Sequence, residues 1–192
     1  HGIKVSPRRI LATGEVGADM LEWCAMKLSK EKIEEIERRV SEVLVDYGIY
    51  DENVDSLDVV CLARSRGFSV RNASLKDSED GFLLLQPDPV RIKGELVDGK
   101  IIAVNRERSG PYKRLVVAHE FGHYALNHCK EGKAYLHRET QTGKNEVENE
   151  ADYFAAALLM PREAFRRSYQ ELADRGVPEK ERHIRLAAQY RV

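Results

Sequence analysis

Toward its C-terminal end the chain carries an unbroken apolar run, Phe154 to Met160, closed by Pro161. Glu146, Glu148, Glu150 and Asp152 stand immediately ahead of it. The spacing predicts a helix over 146–160, ended by a proline that cannot continue it. Its second half is apolar on every side, and such a helix has to be buried. The run is far short of the roughly 18–20 apolar residues that span a bilayer. The rest of the chain must therefore wrap around this helix, and the acids on its first turns are carried toward the core with it. With 192 residues the chain can build that core without disulfide or metal staples. Apolar residues at 42% and charged residues at 33% exclude a disordered or fibrous chain.

Helical periodicity recurs elsewhere. Ile33, Ile36, Val40, Val43, Leu44 and Tyr47 fall at spacings of three and four, with Ser29 placed to cap the start and Gly48 to end it. A short helix is expected from about Ser56 to Ser65, with Leu57, Val60, Cys61 and Leu62 facing inward. Strand signals follow at 68–70, 82–85, 90–92 and 94–97. Asp98-Gly99 then reads as a two-residue hairpin turn into Lys100–Asn105. Pro87 and Pro89 keep these strands short. After Pro111 a compact, largely apolar helix runs through Leu115, Val116, Ala118, Phe121 and Ala125. Residues 129–145 read as a polar connection, and further helices are expected over 162–174 and 179–190. The expected fold is α+β: a small mixed, twisted sheet packed on a helical bundle. Residues 1–28 read as a lead-in and 29–192 as one domain.

Several function classes drop out. A net charge of −1 gives no basic footprint over the whole domain for nucleic acid. The segment HGIKVSPRRI has no apolar core of a secretory signal. Cys24, Cys61 and Cys129 are odd in number and far apart; they are expected to be buried as small apolar side chains in a reducing, cytoplasmic setting. No PCxxC accompanies the histidines, which argues against a zinc deaminase.

The chemistry sits in the helix after Pro111, as His119-Glu120-Phe121-Gly122-His123. Residues four apart share a helix face, so both imidazoles can reach one metal ion. Glu120 projects about 100° round the helix from His119. It cannot readily be the third ligand, but it can reach a water on that metal. The third ligand has to come from another element. Acids complementing a helix dipole account for one or two of the four carboxylates ahead of Phe154, not for acids reaching into so apolar a stretch. Glu148 and Asp152 are four apart and share a face. Glu148 is taken as the ligand, with Asp152 holding a ligand histidine by its second ring nitrogen. Glu150 points about 200° away from Glu148 and is expected to fall off the site.

HEFGHYALNH (119–128) followed by ENEADYFAAALLMP (148–161) resembles the ImmA/IrrE family of metallopeptidases. Leu57–Phe68, Gly81-Phe82-Leu83, the segment GKIIAVN (99–105) and Arg114-Leu115 are similar to the family's lead-in to its active helix, so the resemblance covers roughly residues 30–190. Asp152 departs from the family's usual Asn but still accepts a hydrogen bond from imidazole. The resemblance implies a minimal gluzincin-like endopeptidase with His119, His123 and Glu148 as ligands of zinc, or of manganese or another divalent metal, and Glu120 as general base. It also implies a helix-turn-helix repressor as substrate, whose cleavage relieves repression of stress-response or mobile-element genes. Alternatives are an antitoxin or other regulatory protein as substrate, and a metal-bound module that binds its partner without cutting. His128, His137, Tyr124 and Tyr135 are available as oxyanion donors, and none is assigned that role. Residues of about 162–192 resemble a truncated helix-turn-helix without a recognition helix, so direct DNA binding is not expected, nor is a membrane partner. Related metallopeptidases hold substrate as an added strand, which leads us to expect an exposed sheet edge within 81–105 beside the His119 helix.

Overall fold

The computed structural model describes residues 27–49, 57–86, 88–92, 94–97, 99–129, 134–136 and 146–192. Of the expected lead-in, only residues 27 and 28 fall among these.

Helix α1, Lys30–Asp46, begins where the Ser29 hydroxyl accepts from the Lys32 amide at 3.3 Å, and it buries Ile36, Val40 and Val43. Helix α2, Val59–Ser65, starts later than expected. The Asp58 carboxylate takes the amides of Val60 (3.1 Å) and Cys61 (3.0 Å) and so sets the first turn there. That start also corrects its inward face. Val59, Leu62 and Ala63 are buried, spaced by three and four, and Cys61, about 200° round from Val59, is exposed.

Six strands follow. β1 (Ser69–Ala73), β2 (Gly81–Leu85), β5 (Lys100–Asn105) and β6 (Ala134–Leu136) form one sheet in the order β1-β5-β2-β6. β1 runs parallel to β5, while β2 is antiparallel to both β5 and β6. β3 (Val90–Ile92) and β4 (Glu95–Val97) form a separate ribbon. Among the described residues β4 does not pair with β5, so the hairpin expected across Asp98-Gly99 does not join them. β4 turns back on β3 through Gly94, whose φ of +89° suits glycine. β5 already has both of its edges filled, by β1 and β2, and has no room for β4. Gly99 instead extends the β5–β2 ladder, accepting from the Gln86 amide at 2.8 Å.

A second correction concerns the polar connection over 129–145, which contributes strand β6. A third follows from it. β2 and β5 are interior strands, so among the described residues the edges of the four-stranded sheet are β1 and β6, not a strand within 81–105.

Helix α3 (Gly110–Ala125) is buried without interruption from Leu115 to His123, against β2, β5, α2 and helix α4 (Glu146–Leu159). Two glycines set these approaches. A Cβ on Gly81 would lie 2.5 Å from Val116 Cγ1 and 2.7 Å from the Ala103 carbonyl oxygen, and one on Gly122 would lie 3.0 Å from the Phe154 ring. The start of β2 is also pinned electrostatically. The fully buried Asp80 carboxylate accepts from Arg108 Nε at 2.6 Å and from the Tyr112 hydroxyl at 2.7 Å.

Helices α5 (Arg162–Asp174) and α6 (Glu179–Tyr190) match the expected spans and pack on each other. Leu186 and Tyr190 of α6 are buried in the common core, with the Tyr190 ring 6.0 Å from Phe165. The pair that resembled a truncated helix-turn-helix thus serves the core with the residues that face inward. Among the described residues, no helix is long and apolar enough to cross a membrane.

Candidate active site

α3 and α4 lie side by side, and their polar residues meet at one place. His119 and His123, 0% and 1% exposed, place their Nε2 atoms 3.0 Å apart. From α4, Glu148 brings Oε2 to 3.2 Å from His119 Nε2 and Oε1 to 3.5 Å from His123 Nε2. One ligand atom from each of the three residues falls within 4.8 Å of the others.

The donor set fits a metal ion on its own geometry. His119 Nδ1 lies 2.9 Å from Asp152 Oδ1, and a carboxylate accepts, so Nδ1 carries a proton and the neutral ring presents the lone pair of Nε2 to the site. Burial pushes the pKa of His123 down to about 4, against the opposing pull of Glu148, so this ring is neutral at pH 7. Two neutral ring nitrogens and a carboxylate converging in a largely buried site repel one another unless a cation lies between them. A tetrahedral zinc with bonds of ~2.0–2.1 Å spaces its ligand atoms by about 3.3 Å, within the span of the separations seen here.

Glu120 is buried on α3 between the two histidines in sequence. A Cβ on Gly81 would lie 3.6 Å from its Oε1, which places the carboxylate against the start of β2. It is not one of the three converging residues, in keeping with its angular offset on the helix. Glu146 is exposed at the start of α4.

The side chains available as oxyanion donors, and Glu150, fall in different places. Tyr124 packs its ring 5.0 Å from Phe68, with Lys100 Nζ 5.1 Å from its centroid. Tyr135 lies in β6, and His137 is outside the described residues. His128 sits at 3.1 Å from His123 and 3.2 Å from Glu150, so both have a place at the site that spacing alone did not assign. The signal was present as Asn127-His128, directly after the last apolar residue of the helix. Cys129 is half-buried near the acids, and burial, with Glu120 and Glu148, pushes its thiol up to about 12. Cys24 lies outside the described residues.

Residues 64–192 match the IrrE N-terminal-like domain, a peptidase family. Neither a curated protein nor a solved structure matches the chain. With that match covering most of the chain, and a His-His-Glu cluster on the two helices that carry the motifs, the chain belongs to the ImmA/IrrE family of metallopeptidases.

Proposed function

We propose that this chain is a zinc-dependent endopeptidase that cleaves a transcriptional repressor of the helix-turn-helix type in the cytoplasm, with His119, His123 and Glu148 as metal ligands and Glu120 as general base. The observation that carries the reading is the convergence of those three side chains beside a buried glutamate of the same helix. A divalent ion held there supplies Lewis acidity, which makes water nucleophilic at neutral pH and polarises a carbonyl.

The protein's own groups do the rest. Glu120 accepts a proton from the attacking water and hands it to the leaving amide nitrogen as the C–N bond breaks. Asp152 keeps His119 in the tautomer whose lone pair faces the site, at 2.9 Å. Burial of all of His119, Glu120 and His123 keeps bulk water from screening these interactions. An extended substrate segment finds its backbone partner on the outer edge of β6, the edge strand that neighbours β2, whose Gly81 lies against the Glu120 carboxylate.

Incubation of the purified protein with the products of its neighbouring genes, with and without zinc, followed by mass spectrometry of fragments, tests the proposal. Metal-dependent fragments with one consistent new terminus are expected, absent in His119→Ala and Glu148→Ala. An intact repressor in the presence of a fully metal-loaded enzyme would refute the substrate assignment.

A further inference from the structure

The two ligand histidines are held differently. His119 meets a carboxylate directly, through Asp152. His123 Nδ1 instead meets another imidazole, His128 Nδ1, at 3.1 Å. The far nitrogen of that ring, His128 Nε2, lies 3.2 Å from Glu150 Oε2, and the other oxygen of Glu150 is 3.7 Å from Lys32 Nζ on α1.

Only one arrangement of protons satisfies this chain when His123 Nε2 presents a lone pair to the site. His123 Nδ1 then carries its proton and donates to His128 Nδ1. His128 must carry its own proton on Nε2, and it donates to Glu150. The local backbone holds this arrangement. Leu126 caps α3, Asn127 adopts a left-handed φ of +57°, the Asn127 amide donates to the Tyr124 carbonyl at 3.1 Å, and the His128 amide donates to the His123 carbonyl at 2.8 Å. This is a Schellman turn, which asparagine tolerates, and it folds His128 back over His123.

We infer that His128 and Glu150 form a relay that fixes the tautomer and orientation of the metal ligand His123, doing through two side chains what Asp152 does for His119 through one. Both are positioning residues. The inference rests on the ligand assignment above. Hydrogen-bonded partners behind a ligand are commonly worth 10–100-fold in metal affinity, and Glu150 acts on the metal only through His128.

The test uses the full-length chain. Zinc affinity is measured by chelator competition, and ligand geometry by the visible absorption of cobalt(II). His128→Ala and Glu150→Ala are each expected to bind one ion with affinity about 10–100-fold lower and a shifted cobalt band. The double variant should be no weaker than His128→Ala alone, whereas adding Asp152→Ala to His128→Ala should multiply the two losses. Unfolding of the metal-free proteins separates a lost relay from a lost fold. If His128→Ala does not fold, Glu150→Gln, which keeps size and acceptor but removes the charge, is expected to lower affinity severalfold. Affinities of the single variants within twofold of native, or losses that multiply in the His128→Ala/Glu150→Ala protein, would overturn the relay while leaving the ligand set standing. A native protein that takes up no metal, or a His123→Ala protein that keeps native affinity, would overturn the ligand set and the relay with it.

Discussion

Gly81 is a point of closest approach between the sheet and the active helix, and adding one methyl group there is a severe test of how the site is supported. In Gly81→Ala the new Cβ would meet Val116 Cγ1 at 2.5 Å and the Ala103 carbonyl oxygen at 2.7 Å. Ordinary contact is about 3.5–4.0 Å, so β2 and α3 must separate by roughly 1 Å. Neither neighbour yields cheaply. Val116 is fully buried, and Ala103 O belongs to the β5 backbone paired with β2. Overpacking of this kind costs about 1–3 kcal/mol.

The displacement reaches the chemistry as well. Glu120 is one turn beyond Val116 on the same face of α3, and its Oε1 is 3.6 Å from the added atom. A shift of about 1 Å at a reacting group can cost on the order of 10²-fold in rate. Urea unfolding and repressor cleavage are measured side by side on the native protein, Gly81→Ala, Val116→Ala and the double variant. The argument requires non-additivity. Removing the Val116 methyls relieves one of the two clashes, so the double variant should be less destabilised than the sum of the singles by about 1 kcal/mol. A Gly81→Ala protein within about 0.5 kcal/mol of native and fully active would show that the sheet and helix are not in the close contact on which this reasoning depends.

Glu120→Gln should keep metal content and fold, because Glu120 is not among the converging ligands, while cleavage falls about 10²–10⁴-fold and the partner is trapped in complex; co-purification and a reporter assay check it, and full reporter release by the Gln form would sink the protease reading. Asp80→Ala removes the acceptor of Arg108 Nε and of the Tyr112 hydroxyl and should cost about 3 kcal/mol in urea unfolding, with Asp80→Asn costing less; a loss below about 0.5 kcal/mol would mean the buried carboxylate does not anchor β2. Acid should weaken the metal-free protein through His123. Its folded pKa, about 4, lies below the ordinary 6.5, so the unfolded chain binds the extra proton. The stability held by the neutral ring is fully present above 6.5 and is lost as pH falls toward 4, by about 2 kcal/mol at pH 5. Urea midpoints at pH 7 and 5 report this, and a His123→Gln protein with the same pH slope as native would contradict it.

How much of this was legible beforehand differs from element to element. α1, α3, α4, α5 and α6 were readable within a few residues, because a helix closes its hydrogen bonds locally and its buried stripe repeats at the local period. The HExxH pair was equally local. Two imidazoles four residues apart point the same way in any helix, so the fold had only to bury them. The sheet was not readable in the same way. Strands find partners far away in sequence, and nothing within 94–105 reveals that both edges of β5 are claimed by β1 and β2. β6 offers only three residues to a reader, and its identity as a strand comes from β2.

The acids of α4 divide along the same line. Their spacing determined that Glu148 and Asp152 share a face and that Glu150 points elsewhere. What lies opposite each face depends on the rotation of α4 against α3, which packing of Gly122 on Phe154 helps to set. That rotation puts Glu148 on both Nε2 atoms and Asp152 on His119. It also turns Glu150 toward the Schellman turn at Asn127, where His128 waits beyond the end of the helix. Which side chains could ligate was readable from residue type and helical angle alone. Which of them meet was settled in the folded chain, because contacts between helices depend on how two surfaces pack, and that is a property of the whole core.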